Sequence, residues 1–139
     1  MLLKNIQLFI VEDNPQNRVI FQMSLIRHGA SVQFERRGDG ALYQLKNLTY
    51  VDGIILDLML ADGLSGFDIF DQIRMLPKFA RVPIVAVSAM DPHVAIPTAQ
   101  AKGFAGFIAK PIDDDLFSNQ IAAILHGTPV WYAGERAIG

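Results

Sequence analysis

Residues 53–60 read Gly-Ile-Ile-Leu-Asp-Leu-Met-Leu. Ile54-Ile55-Leu56 is continuously apolar, as expected of a strand covered on both faces in a parallel sheet. Asp57 then sets a charge directly at the end of that run. Open α/β sheets bind their ligands outside the carboxyl ends of their strands, so this is where chemistry would sit. The pattern recurs along the chain. Leu8-Phe9-Ile10-Val11 is closed by Glu12 and Asp13, and Phe107-Ile108-Ala109 by Lys110 and then Pro111. Pro83 opens a further run, Ile84 to Val87, which ends at Ser88. A lone acid after a strand is usually a helix cap or turn former. Three acids and a lysine ending separate runs point instead to one assembled pocket.

Between these runs the spacing becomes helical, which predicts βαβ units and a parallel sheet. After a first strand at about 6–11, Asn14 offers an N-cap and Pro15 a first helical residue whose missing N–H has no cost there. Val19, Ile20, Met23 and Ile26 follow at helix spacing, and Gly29 supplies a stop. Val32 and Phe34 alternate with polar neighbours, as in a half-exposed edge strand, and residues 39–48 suit a short helix. Ile69, Phe70, Ile73 and Leu76 make the next helical face, ended by Pro77. Pro97 falls where a fourth helix belongs. Mid-helix it would cost ~3 kcal/mol through a lost donor and a clash. The fourth helix is therefore predicted to start near Ile96 or Pro97, with Pro92-His93-Val94 as loop. Asp113 can cap a last helix with Phe117, Ile121, Ile124 and Leu125 inward, stopped by Gly127.

The expectation is a doubly wound α/β domain with five parallel strands and five helices, spanning 1–126, followed by a tail, 127–139. Trp131 and Tyr132 in that tail could pack on the body, meet a partner or be exposed; packing is the preferred expectation.

Bulk properties narrow the function. The chain has 139 residues and no cysteine, which leaves out disulfides, thiolate nucleophiles and cysteine metal sites. The net charge of −2 and a lone basic doublet, Arg36-Arg37, argue against a nucleic-acid partner. No apolar run approaches the ~20 residues of a membrane span. The N-terminus makes a poor secretion signal and a good first strand. A cytoplasmic protein is expected.

Three converging carboxylates would repel one another. A hard divalent cation with oxygen ligands resolves this, and Mg2+ commonly binds through carboxylates together with phosphate oxygens. Lys110 adds a positive charge suited to a phosphoryl group, and Ser88 a hydroxyl able to donate to one. An acid as acceptor, a metal and a fixed cation compose an aspartyl-phosphate site.

The stretches FIVEDN (9–14), IILDLML (54–60), VPIVAVSAM (82–90) and GFIAKPI (106–112) resemble the receiver domain of two-component response regulators, of the single-domain, chemotaxis-regulator-like type. That pattern is an acidic pair after strand 1, a phosphoacceptor Asp after strand 3, a Ser/Thr after strand 4 and Lys-Pro after strand 5. The resemblance covers about residues 5–125. It implies the flavodoxin-like order 2-1-3-4-5 with helices on both faces, which would bring Glu12, Asp13 and Asp57 to the switch point. It further implies that Asp57 takes a phosphoryl group from a histidine kinase or histidine phosphotransfer protein. Mg2+ would be held by Glu12, Asp13, Asp57 and the Met59 backbone carbonyl. Lys110 would contact the phosphoryl oxygens, and Ser88 and Phe107 would switch, altering the face of helix 4, strand 5 and helix 5 toward a downstream protein. Such a chain is a signalling phosphoacceptor, not a conventional enzyme.

There are departures from the family pattern. The loop LMLADGLSG (58–66) is one residue longer than usual, with Ala61 where proline is common, and position 107 is Phe rather than Tyr. Rival readings fit less well. A haloacid-dehalogenase-type phosphatase would need an acid at Met59, and Gly63-Leu64-Ser65-Gly66 lacks the hydrolase G-x-S-x-G spacing. Tyr43 stands where a dinucleotide loop beginning at Gly38 needs its third glycine. His28, His93 and His126 are scattered. A phosphorylation-independent adaptor on the same fold is the remaining alternative, although it would need no complete acid-Ser-Lys set.

Overall fold

The computed structural model describes residues 1–60 and 64–134. The chain runs β1 (Gln7–Val11), α1 (Pro15–Arg27), β2 (Ser31–Glu35), α2 (Gly38–Asn47), β3 (Gly53–Leu56), α3 (Gly66–Arg74), a 3-10 turn (Pro77–Phe79), β4 (Ile84–Ser88), α4 (Pro92–Lys102), β5 (Gly106–Ala109), α5 (Asp114–Leu125) and β6 (Val130–Tyr132). The six strands pair in parallel, in the order β2-β1-β3-β4-β5-β6. The expected order 2-1-3-4-5 is intact, but the expected five strands become six.

Helices cover both faces. Phe21 and Leu25 of α1 and Phe117, Ile121 and Ile124 of α5 pack under Leu8, Ile10, Ile55 and Ile108. On the other face Ala41, Leu45, Ile69, Phe70, Ile73, Ala95 and Ala99, from α2, α3 and α4, pack over Phe9, Ile54, Leu56, Ala86 and Phe107. Each large apolar side chain buried this way contributes about 1.5–3 kcal/mol. Every residue of β3, β4 and β5 is buried, which is why those segments read as unbroken apolar runs.

Local chemistry sets the helix starts. Asn14 accepts from the N–H groups of Gln16 and Asn17, and Asp113 accepts from those of Asp115 and Leu116. In α1 the apolar residues at helix spacing divide in an unexpected way. Phe21 and Leu25 enter the core, while Val19, Ile20, Met23 and Ile26 form an exposed stripe.

Helix α4 corrects the sequence expectation. It begins at Pro92 rather than near Ile96, with Asp91 accepting from the His93 N–H and Pro97 inside it. Pro97 lies on the solvent side, where the His93 carbonyl that lacks a donor can meet water, and Ala95 and Ala99 are fully buried on the opposite side. An Asp-Pro start and a packed small-residue face outweigh one lost bond.

The tail supplies the sixth strand. Gly127, at φ +97°, turns the chain after α5, and Val130, Trp131 and Tyr132 align with Gly106, Phe107 and Ile108. Trp131 and Tyr132 therefore pack on the body, on opposite faces of the sheet. The loop expectation for Ala61, with its lengthened path over 61–63, lies outside the described residues.

Candidate functional site

β1 and β3 are neighbours, and Val11 pairs with Leu56. Glu12 and Asp57 therefore leave the sheet side by side, and the Asp57 N–H still donates to the Val11 carbonyl at 3.1 Å. One carboxylate oxygen from each of Glu12, Asp13 and Asp57 lies within 4.8 Å of the others. Lys110 arrives from β5, two strands away. Its Nζ donates to Asp57 Oδ2 at 2.9 Å and to Glu12 Oε1. It also stands 5.9 Å above the ring of Phe21. Pro111 follows Lys110 through a cis peptide bond.

Both oxygens of Asp57 are engaged, Oδ2 by Lys110 and Oδ1 by the Met59 N–H at 3.0 Å. Glu12 Oε2 accepts from the Asn14 N–H at 3.1 Å. Glu12 is 1% exposed and Asp57 5%. Burial pushes the Glu12 carboxyl above its ordinary 4.5, against the opposing pull of Lys110. Burial alone would lower the Lys110 ammonium, but its bonds to Asp57 and Glu12 outweigh that and leave it raised above 10.5. The lysine is thus firmly cationic between two buried acids.

Ser88 ends β4 opposite Ala109 and is fully buried. Its carbonyl accepts from the Lys110 N–H at 2.9 Å, and its Oγ accepts from the Met90 N–H at 3.2 Å. Phe107, also fully buried, lies between Ala86 of β4 and Trp131 of β6. The sequence-derived residues therefore gather at one sheet end, with Glu12, Asp57 and Lys110 in direct contact, Ser88 joined through backbone and Phe107 further down β5. The Met59 side chain is exposed.

Two residues that sequence reasoning missed help build the site. Phe21 forms the floor beneath Lys110, a contact that local spacing could not reveal. Gly66 begins α3 against the segment just past Asp57. A Cβ there would stand 2.3 Å from the Asp57 carbonyl oxygen and 2.7 Å from the Leu58 Cα. Only glycine admits this approach, which the Gly66 N–H to Leu58 carbonyl bond at 3.0 Å fixes. The Gly-Leu-Ser-Gly run held the signal, but its partner lay elsewhere in the fold.

The donor set suits a hard divalent cation. Three carboxylates gather there and two of them share one ammonium, leaving negative charge in excess, and oxygen-only ligation is what Mg2+ takes.

Among the described residues no helix is long and apolar enough to cross a membrane. Residues 8–122 match the response regulator receiver domain. Protein PilH of Pseudomonas aeruginosa is 25% identical over 122 residues, spanning 87% of this chain and 98% of PilH. The transcriptional regulatory protein AfsQ1 of Streptomyces coelicolor is 27% identical over 118 residues, covering 85% of this chain but 50% of AfsQ1. The CheY-like receiver domain of Methylobacillus flagellatus superimposes with a TM-score of 0.72 at 28% identity, over 86% of this chain and 98% of that one. The chemotaxis protein CheY4 of Vibrio cholerae does so at 0.78 and 20% identity, over 86% and 98%. The chain belongs to the response regulator receiver domain family, the CheY-like receivers of two-component signalling.

Proposed function

We propose that residues 1–126 act as a phosphoacceptor, with Asp57 as the accepting group. The observation that carries this reading is the placement of the buried Asp57 within reach of Lys110 and of two further carboxylates. A carboxylate oxygen of Asp57 forms the new P–O bond as the P–N bond of a donor phosphohistidine breaks, and the bonding pair returns to the imidazole nitrogen. Charge builds on the equatorial phosphoryl oxygens, where a preorganised ammonium lowers the barrier. Lys110 supplies that ammonium. Mg2+ held by Glu12, Asp13, Asp57 and the Met59 backbone carbonyl would supply further neutralisation.

Ser88 provides the readout. Its hydroxyl can leave the Met90 N–H and donate to a phosphoryl oxygen, and Phe107 repacks as the end of β4 moves. Such a change transmits only if partners bind the two arrangements unequally. A histidine kinase or phosphotransfer protein as donor fits the exposed apolar stripe Val19, Ile20, Met23 and Ile26, on the helix that starts two residues after Asp13. The downstream target is a protein that reads the α4, β5 and α5 face.

Incubation with acetyl phosphate and Mg2+, followed by intact mass measurement, tests the reading. We expect a gain of one phosphoryl group, lost without Mg2+ and lost in Asp57→Asn. A gain that survives Asp57→Asn would overturn it.

A further inference from the structure

The strand that carries Lys110 is not free on its outer side. β5 is flanked there by β6, which pairs with it at three positions, ending with Tyr132 against Ile108. The contact continues past the strand, since a Cβ on Gly134 would lie 3.6 Å from the Cβ of Ala109, the residue before Lys110. Inward, Ala109 is paired with Ser88. The tail thus grips the full length of the strand that delivers both Lys110 and Phe107.

The grip is close but shallow. A Cβ at Gly106 would stand 2.8 Å from the Val130 carbonyl oxygen and 2.8 Å from Ile124 Cδ1, so this seat exists because position 106 has no side chain. Trp131 packs onto the cluster holding Phe107 and Ala109, while Val130 and Tyr132 pack onto the cluster holding Ile108 and Ile124. Yet all three strap residues stay half-exposed. Short, half-exposed elements belong to the low-stability end of a structure, where opening is easy.

We propose that β6 is an autoinhibitory strap, seated on β5 by Trp131, that opposes loading of Asp57 and is unseated when Asp57 is loaded. The inference rests on the phosphoacceptor reading. Its sign follows from the Asp57 oxygens. Oδ1 is held by Met59 and Oδ2 by Lys110, so a new bond at Oδ2 must displace the ammonium toward the incoming group. That displacement draws on the end of β5, and the strap holds β5 in its present position. Linkage requires the reverse effect as well: whatever loads the site loosens the strap by the same factor.

Trp131 is the only tryptophan in the chain, so its emission reports strap seating directly. The probe is beryllofluoride with Mg2+, titrated into the full chain, into Trp131→Ala and into Trp131→Phe, with affinity read from amide NMR shifts. We expect Trp131→Ala to bind at least about five-fold more tightly, the lower end of ordinary coupling. Trp131→Phe, which keeps a ring on the seam, stays near the parent. In the parent, Trp131 emission shifts to the red and becomes more open to acrylamide quenching on saturation. Equal or weaker binding by Trp131→Ala, or unchanged emission in a saturated parent, overturns the strap. Absence of binding to the parent itself overturns the phosphoacceptor reading, and the strap with it. Should Trp131→Ala not fold, the emission of the saturated parent still decides.

Discussion

Lys102 holds Asp71 and Lys110 holds Asp57 at the same separation, 2.9 Å. The two pairs differ in what surrounds them. The side chains of the first are 26% and 58% exposed, those of the second 11% and 6%. Water and salt screen the outer pair, which joins α4 to α3 and is worth about 0–1 kcal/mol. The inner pair is largely shielded from water and shares its lysine with Glu12, and its desolvation offsets much of its attraction. Distance alone therefore does not reveal a pair's purpose. The outer pair is surface trim. The inner one concentrates charge where apolar packing would be at least as stable, as the proposed phosphoacceptor site requires.

The sharpest way to break this contrast is to remove the inner lysine. Lys110→Ala leaves Glu12 and Asp57 buried without their cation, and we expect a loss of about 3–5 kcal/mol in denaturant unfolding at neutral pH. Lys110 now pulls the Glu12 carboxyl down against burial, so its removal raises that carboxyl further. The loss should then shrink as acid neutralises Glu12. A loss below about 1 kcal/mol would make the inner pair equivalent to the outer one.

A smaller effect comes from Glu12 itself. Its folded-state value lies above the ordinary 4.5, so its contribution to stability improves as pH falls through that raised value. A divalent cation needs the ionised form. Mg2+ affinity should therefore weaken over the same window, by up to about tenfold per pH unit once Glu12 is mostly protonated. Calorimetric titration of Mg2+ between pH 7 and the ordinary carboxylate range, on parent and Glu12→Gln, measures this. A Glu12→Gln profile as steep as the parent's would contradict it. Least of all should follow from Lys102→Ala, which is expected to change stability by less than about 1 kcal/mol in the same melts.

Much of this site was legible because its chemistry is incompatible with its surroundings. A single charge at the end of an apolar run has an ordinary explanation as a cap or turn, so Asp57, Glu12, Asp13 and Lys110 stood out only together, as the ends of three separate runs. Parallel pairing then did the convergence. What stayed hidden depended on distant partners. Phe21 matters because Lys110 arrives above it from another strand, and Gly66 matters because the Asp57 carbonyl occupies the space of its missing side chain. β6 has a β-prone sequence, but three residues form a strand only because β5 offers an edge. Pro97 misled for the opposite reason. Its local penalty is real, but it falls on the solvent face of a helix already fixed by Asp91, Pro92, Ala95 and Ala99.

The central claim is that Asp57, rather than Glu12 or Asp13, carries the phosphoryl group. Treating the Mg2+-acetyl phosphate product with borohydride converts an acyl phosphate into an alcohol, and peptide mass mapping then finds the residue changed. The account predicts homoserine at position 57 and unmodified residues at 12 and 13. Conversion at Glu12 or Asp13, or none at position 57 in a protein that has gained phosphate, would contradict it.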